Sequence, residues 1–228
     1  MATDSIVRLS AEVAACRRCP RLVEWREEAA AHPPARFKGQ SYWARPLPGW
    51  GDPRARVLLV GLAPAAHGGN RTGRLFTGDR SGDFLCASLH RTGFVNQPTS
   101  TDAADGLAAR DVYIAAVVRC APPDNKPMPD ERANCLPFLV RELRLLPELR
   151  VIVPLGAYAW DGAMAALRAL GVALPHKPAF GHGAEATAGL YRILGSYHPS
   201  QQNTFTGRLT PEMLDAAMTR ARLTAGLD

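Results

Sequence analysis

The segment from Val57 to Gly82 is the part of this sequence best suited to holding a ligand. Its apolar run Val57–Val60 predicts a buried strand, and a long glycine-rich loop follows that strand. Open α/β sheets bind ligands at the carboxyl ends of their strands, and glycines let backbone N–H groups approach a ligand closely. The loop contains neither a P-loop nor a dinucleotide fingerprint, so the sequence predicts another ligand class; an ordinary long surface loop is the alternative.

Polar residues that could act on such a ligand occur in this loop and in two later ones. His198, Asn203 and Arg208 fall in one short segment after a predicted strand, and the imidazole could stabilise an anion forming in a bound ligand. The amide of Asn125 carries the donor and acceptor needed to read a nucleobase edge, although it also suits a turn. Asp79 could take part in chemistry or cap the helix that follows it.

Four of the five cysteines have a spacing that suits a metal centre. Cys16 and Cys19 form a Cys-x-x-Cys pair, while Cys120 and Cys135 flank a proline-rich loop. Four thiolates suit either a tetrahedral zinc ion or a 4Fe–4S cluster, and the ligand type alone does not separate the two. Buried, unligated cysteines are the alternative. Cys86 lies in a helical pattern and is expected in the core.

The charge balance favours a nucleic-acid partner. The 228 residues carry 27 basic and 21 acidic side chains, for a net charge of +6, and all but three of the basic residues are arginine. Arginine binds phosphate in a bidentate way, although a compositional bias would also explain its excess over lysine. The sequence shows no apolar run long enough to span a membrane and no signal-peptide layout, so we expect a cytoplasmic protein, and a monomer.

Strands and helices alternate along the chain, which predicts a single α/β domain over residues 1–228, with residues 1–50 as an N-terminal extension. Strands are expected at 56–62, 112–118, 151–156 and 191–197, with at most a short strand in 171–188. Ser81 is predicted to cap a helix over 81–91, Pro137 to kink a helix over 131–146, and Thr210 to cap the last helix. The loops that follow the strands should gather at one edge of the sheet.

Four motifs extend, in order, over nearly the whole chain: CRRCPRLVEWRE, GLAPAAHGGNRTGRLFTGDRSG, VRCAPPDNKP and SYHPSQQNTFTGRLT. They resemble the motifs of the family 5 (type B) uracil-DNA glycosylases, within the uracil-DNA glycosylase superfamily. The resemblance implies a three-layer α/β/α sandwich around a four-stranded, mainly parallel sheet. It also implies a structural 4Fe–4S cluster held by Cys16, Cys19, Cys120 and Cys135.

The resemblance further implies roles for the polar loops. Many related glycosylases carry a catalytic polar residue near the start of the first motif, where this chain has apolar Leu62 and Ala63. The implied catalytic pair is therefore Asp79, which would stabilise the sugar cation and orient water, and His198, which would stabilise the departing base. The implied base-binding residues are Gly61, Ala63, Ala65, Phe76, Asn125 and Asn203, and the implied DNA contacts are Arg71, Arg74, Phe205 and Arg208.

The implied activity is DNA repair. The enzyme would flip uracil, and other deaminated bases such as hypoxanthine, out of DNA and hydrolyse the N-glycosidic bond, leaving an abasic site. Its partner would be DNA that contains uracil or other damaged bases. Two competing hypotheses are a non-catalytic, zinc-binding nucleic-acid module, which would release no base, and a small-molecule hydrolase, which would show no salt-dependent DNA affinity.

Overall fold

A mixed six-stranded sheet forms the centre of the molecule in the computed structural model, which describes residues 4–174 and 178–228. Its strands are β1 (Trp50–Gly51), β2 (Val57–Gly61), β3 (Val112–Ala116), β4 (Val151–Pro154), β5 (Glu185–Ala188) and β6 (Tyr191–Leu194), in the spatial order β1-β3-β2-β4-β6-β5. The four central strands run parallel, and the edge strands β1 and β5 pair antiparallel. The predicted four-stranded sheet is therefore the centre of a larger one.

Helices of very different length surround this sheet. They are α1 (Ile6–Ala14), α2 (Pro20–Ala31), α3 (Gly69–Thr72), α4 (Arg80–Arg91), α5 (Pro129–Leu145), α6 (Ala157–Ala169), α7 (Gln201–Phe205) and α8 (Pro211–Thr224). The short helices α3 and α7 lie inside segments predicted as loops. The strands β3, β4 and β6 end two or three residues before their predicted ends. None of the described helices is long and apolar enough to cross a bilayer.

The two faces of the sheet are covered by different helix pairs. Along β2, Val57 and Leu59 face a core shared with α4 and α8, whereas Leu58 and Val60 face a core shared with α5 and α6. All four side chains are completely buried, as expected for a parallel strand covered on both sides. The architecture is thus the three-layer α/β/α sandwich that the family resemblance implies.

The start of α4 differs from the prediction. Asp79, not Ser81, is its N-cap: Asp79 has an extended backbone, and its Oδ1 accepts the N–H of Gly82 at 2.9 Å. Ser81 lies inside the helix. A carboxylate at this position satisfies an unpaired N–H and interacts favourably with the helix dipole. Thr210 caps α8 as predicted, since its Oγ1 accepts the N–H of Met213 at 3.3 Å.

Helix α5 also begins earlier than predicted. It starts at Pro129, where proline is well tolerated because the N–H of a first-turn residue has no helical partner. The carboxylate of Glu131 accepts the N–H of Met128 at 2.7 Å, which closes this helix end. The helix continues through Pro137 to Leu145, so proline does not end it.

The order of the strands places the carboxyl end of β2 at a topological switch. The chain passes from β2 to β3 on one side, and β4 then pairs with β2 on the other side. In open α/β sheets a crevice forms outside the strand ends at such a point. The loops after β2, β3 and β6 all reach this edge of the sheet.

Candidate active site

A cavity of about 560 Å³ opens where these three loops meet. Its size is typical of small-ligand pockets. It is lined by Leu62, Ala63, Pro64, Ala65, Leu75, Phe76, Asp79, Arg80, Ser81, Asp124, Asn125, His198, Ser200, Gln201 and Gln202. The structure therefore brings Asp79 and His198, which are 119 residues apart in sequence, to the same cavity.

Asp79 occupies the cavity wall while it caps α4. Its Oδ1 accepts the Gly82 N–H, and its Oδ2 lies against Gly68, where any Cβ would overlap the carboxylate. Glycine is therefore required at position 68. Burial raises the pKa of Asp79, and the N–H groups of Gly82 and Ser81 oppose that rise. Capping and cavity lining are thus two roles of one carboxylate.

Phe76 forms a flat apolar wall of the cavity. Its backbone has a φ of +53°, a conformation that bulky residues rarely adopt, and strain of this kind is concentrated at functional sites. The ring lies over Gly61, where a Cβ would be 2.7 Å from Phe76 Cζ. Gly61 is therefore buried beneath the ring and does not line the cavity. The ring centroids of Phe76 and His198 are 5.9 Å apart.

His198 is held by its own loop after β6. The side-chain Nδ2 of Asn203 donates to the His198 carbonyl oxygen at 2.9 Å, and the N–H of Tyr197 donates to Nδ1 of His182 at 3.2 Å. Asn203 therefore positions the histidine and does not line the cavity. Burial lowers the pKa of His198 to about 4, so its imidazole is neutral at neutral pH.

Asn125 approaches the cavity from the loop after β3. It ends a short 3-10 turn over Pro123–Asn125, and both Asp124 and Asn125 have positive φ, at +53° and +55°. Two consecutive left-handed residues other than glycine carry a conformational cost, which asparagine tolerates better than most. The cost is accepted in a loop that presents an amide to the cavity.

The comparisons with known proteins agree with one another. The family model of the Uracil DNA glycosylase superfamily matches residues 48–222. The chain is 57% identical over 227 residues to a type-5 uracil-DNA glycosylase of Mycobacterium bovis, and the aligned region covers 98% of this chain and 83% of that protein. It is 51% identical over 214 residues to the type-5 uracil-DNA glycosylase of Thermus thermophilus, covering 93% and 95%. The chain belongs to the type-5 uracil-DNA glycosylase family.

In this member of the family, two of the four implied DNA contacts lie on the surface. The side chain of Phe205, at the end of α7, is 66% exposed, and Arg80 from the cavity rim lies 5.1 Å over its ring. The guanidinium of the exposed Arg208 lies 4.6 Å over the ring of Tyr197, next to His198. The structure therefore places Phe205 beside the mouth of the cavity and Arg208 beside the loop that carries His198.

The other two implied DNA contacts bind mainly within the protein. Arg71 donates to the carbonyl oxygens of His67 and Gly78 at 2.9 and 2.8 Å, so it braces the two ends of the glycine-rich loop. Arg74 is 7% exposed and donates to Asp105 at 2.6 Å, to Ser100 and to Thr77. The prediction that Arg74 contacts DNA is contradicted by this burial, because its guanidinium is already committed to buried partners.

Replacing Arg74 by methionine is expected to destabilise the fold by about 3–5 kcal/mol, because it leaves the buried carboxylate of Asp105 without its partner. The Arg74 guanidinium and the N–H groups of Thr101 and Leu107 hold the pKa of Asp105 well below its usual range. The stability that the ionised Asp105 carboxylate contributes to the fold is present above the ordinary aspartate pKa and is lost as the pH falls below it. Urea unfolding at neutral pH measures the change.

The matched control for this variant is Arg91→Met. Arg91 also forms a two-bond pair with an aspartate, Asp215, but its side chain is 46% exposed. Exposed pairs contribute about 0–1 kcal/mol, so the control should unfold close to the unaltered protein. Equal losses in the two variants would contradict a structural role for the buried Arg74–Asp105 pair.

The four predicted ligand cysteines line a second, much smaller cavity, with a volume of about 10 Å³. Cys16 and Cys19 come from the turn between α1 and α2, Cys120 from the loop after β3, and Cys135 from α5. Burial raises the pKa of the Cys120 thiol to about 12. In the described residues, no group of three or more His, Cys, Asp or Glu side chains is arranged to hold a single metal ion.

The donor set of this second cavity suits a group with negative charge. Nη1 of Arg26 donates to Cys120 Sγ at 3.1 Å, and Nδ2 of Asn134 lies 3.5 Å from Cys19 Sγ. The backbone N–H of Arg119 donates a hydrogen bond to the sulfur of Cys135. Hydrogen-bond donors of this kind stabilise sulfur ligands when they carry charge.

Sequence reasoning missed several residues in or next to the two cavities. Arg80, Ser200, Gln201 and Gln202 line the first cavity, and each lies one or two positions from Asp79, His198 or Asn203. Arg26, which bonds to the Cys120 sulfur, was missed because it lies in a helical run rich in charge, WREE, which is typical of an exposed surface.

Proposed function

We propose that this protein excises uracil from DNA by hydrolysing the bond between the base and its deoxyribose. The observation that carries the proposal is that Asp79, His198, Phe76 and Asn125 together line one cavity at the carboxyl edge of the sheet. The names of the type-5 relatives support the same reaction. The small-molecule and non-catalytic alternatives are favoured by no feature of this site.

The cavity holds a base that has been rotated out of the duplex. A base that stays stacked in the duplex cannot enter this cavity. Flipping it out costs a few kcal/mol, and the cost is least at a mismatch such as uracil opposite guanine. Phe76 stacks on the flat face of the base, and the amide of Asn125 bonds to its edge. Ala63 and Ala65 line the same space, and their N–H groups are proposed to bind the base carbonyls.

Hydrolysis then separates two charges that the cavity stabilises. The C1′–N bond breaks with its electron pair going to the base, and the sugar gains positive charge. The carboxylate of Asp79 stabilises the sugar cation and orients a water, whose oxygen bonds to C1′ while its proton leaves to solvent or to the base. The neutral imidazole of His198 donates a hydrogen bond to the departing base anion.

DNA approaches along the exposed residues at the cavity mouth. Phe205 is large, apolar and exposed, so it suits the gap that a flipped base leaves in the stack. Arg80 lies over its ring, Arg208 lies over Tyr197, and both guanidinium groups suit the neighbouring phosphates. The net charge of +6 favours the encounter with DNA. Arg71 acts mainly by bracing the loop.

The cavity also suits other deaminated bases such as hypoxanthine. The start of the first motif presents the apolar residues Leu62 and Ala63. Their side chains have no polar groups that a different base would leave unpaired, so they discriminate little between bases. A volume of about 560 Å³ leaves room for a purine as well as a pyrimidine.

Single-turnover release of base from duplexes that carry U·G, U·A or hypoxanthine·T tests the proposed activity. We expect fastest release from U·G, because that pair is easiest to open. DNA binding that weakens with salt but yields no free base would overturn the proposal in favour of a non-catalytic module. Absence of both binding and release would favour a small-molecule hydrolase.

We propose further that the four cysteines hold a 4Fe–4S cluster. Four thiolates around one cavity, with a buried arginine directed at one sulfur, support a group that carries net negative charge. Such a cluster would pin the N-terminal turn, the loop after β3 and helix α5 to one another. Its chemistry in this setting is structural, and no step of base release passes through it.

The cluster proposal predicts the behaviour of single cysteine variants. Cys135→Ser, purified without oxygen, should lose most of its iron and its visible absorbance, whereas Cys86→Ser should keep both. Cys86 is also buried, but its sulfur lies in the core between α4 and the sheet and bonds to the Gln97 carbonyl at 3.5 Å. A colourless unaltered protein that contains zinc would overturn the proposal.

A further inference from the structure

Arg26 is buried without a close carboxylate partner. It is 1% exposed on α2, and its ion pair is a 3.9 Å contact with Glu27, whose same oxygen already accepts a 2.6 Å bond from Arg17. Its Nε has no hydrogen-bond partner within residues 4–174 and 178–228. Burying a guanidinium is unfavourable unless an anion and hydrogen bonds compensate it, so this residue needs a negative group nearby.

The guanidinium is directed at the four-cysteine cavity. Its Nη1 donates to Cys120 Sγ at 3.1 Å and to the Cys16 carbonyl oxygen at 3.4 Å, so it bridges the two cysteine pairs. Arg119, which is equally buried beside Cys120, offers a contrast, because both of its Nη atoms bond to the carboxylate of Glu142. Among the described residues, Arg26 has no carboxylate bound in this way, and the Cys120 sulfur lies closer to its guanidinium, at 3.1 Å, than the Glu27 carboxylate, at 3.9 Å.

The backbone of Arg26 has a second connection, on the side of the substrate cavity. Its carbonyl oxygen accepts a 3.1 Å bond from Nδ2 of Asn70, which is completely buried. The same Nδ2 donates to the Ala66 carbonyl oxygen at 3.3 Å, and the Asn70 N–H donates to that of Ala65 at 3.1 Å. Ala65 lines the substrate cavity. One side chain therefore joins α2 to the loop that forms the cavity wall.

We propose that Arg26 is a positioning residue that couples the four-cysteine cavity to the substrate cavity. Its guanidinium compensates the thiolate charge of the cluster, and its carbonyl anchors Asn70 and, through it, the loop after β2. The inference rests on the proposed cluster and on the proposed excision of uracil. Loss of the cluster would leave the buried guanidinium unpaired, and the loop would lose its anchor.

Variants of Arg26 in the iron-loaded protein test the first half of the coupling. Arg26→Met should lower the midpoint potential of the cluster, because reduction adds negative charge that the guanidinium no longer stabilises. It should also release iron to a chelator about tenfold faster, as expected when a bond to a charged group is lost. Arg26→Lys keeps the charge but is too compact to reach Cys120 and Cys16 together, so intermediate values are expected.

The control for charge is Arg144→Gln. Arg144 is exposed in the last turn of α5, the helix that carries Cys135, so its removal changes the net charge equally and should leave potential and iron release unchanged. If Arg26→Met does not fold, Arg26→Lys decides alone. Values for Arg26→Lys equal to those of the unaltered protein would overturn the proposal.

Asn70→Leu tests the second half. Leucine has nearly the volume of asparagine and adds no charge but lacks the Nδ2 donor, so we expect a KM for uracil-containing DNA raised about tenfold, with iron content, potential and kcat little changed. An unchanged KM would overturn the coupling. An unaltered protein without iron would refute the cluster itself, and an iron-loaded protein that releases no uracil would refute the proposed function, so the failures are distinguishable.

Discussion

Asp79→Asn is expected to slow the single-turnover release of uracil about 10²- to 10³-fold, the typical effect of removing one preorganised charge from an active site. Asparagine has the shape of aspartate and can still accept the Gly82 N–H at the start of α4, so the change removes the charge and little else. A single-turnover time course of base release from a U·G duplex, with enzyme in excess over DNA, measures the effect.

The capping role of Asp79 is separated from its chemical role by Thr210→Ala. Thr210 also caps a helix through its side chain, but it is not among the residues that line the cavity. This variant should lose about 1 kcal/mol of stability and keep its rate of release. A rate for Asp79→Asn within threefold of the unaltered protein would show that the carboxylate only caps α4.

The raised pKa of Asp79 predicts the acid side of the pH profile. If the ionised carboxylate acts in catalysis, kcat/KM falls as the pH drops through a pKa above the ordinary value of 3.8, and Asp79→Asn abolishes that fall. Persistence of the same acid limb in the variant would assign it to another group.

His198→Gln is expected to have a comparable effect, about 10²-fold, because it removes the donor that stabilises the departing base. Glutamine keeps a donor of different reach, so His198→Ala should be slower still. Asn203→Ala, which removes the 2.9 Å bond to the His198 carbonyl and leaves the ring in place, should reduce the rate less than either. Equal rates in all three would contradict a direct role for the imidazole.

The low pKa of His198 gives this prediction a pH signature. With a folded-state pKa of about 4, the imidazole is neutral from about pH 5 upward, so kcat/KM should show no step near pH 6.5 from this residue. In the unfolded chain it takes up a proton near pH 6.5. Its contribution to stability is therefore present above pH 6.5 and is lost as the pH falls towards 4, a change that His198→Gln should remove.

Much of the fold could be predicted from the sequence because its signals are local. The apolar runs of β2, β3 and β4 indicate strands buried on both faces, and alternation with helices indicates parallel pairing. The edge strand β1 carries no such signal, since it has two residues and pairs antiparallel to β3 across a long loop. Its existence depends on the backbone of β3 being available, which only the folded chain decides.

The candidate site was predicted in outline for a similar reason. Asp79, Phe76, Asn125 and His198 stand in motifs whose residue types suit a base pocket, and all four line one cavity. Arg74 stands in the same motif and has the chemistry to bind phosphate. Its partner, Asp105, lies 31 residues away, and no local pattern shows that the pair is buried.

The sequence by itself determined the family, the layered architecture and the identity of the groups that can act on a base, because residue type and order carry that information directly. The tertiary structure decided which of those groups are free to act. It buried Arg74 against Asp105, placed Gly61 beneath Phe76, and turned Arg26 from a charged helix towards Cys120. Such outcomes depend on contacts between residues far apart in the chain, where burial and charge compensation act together.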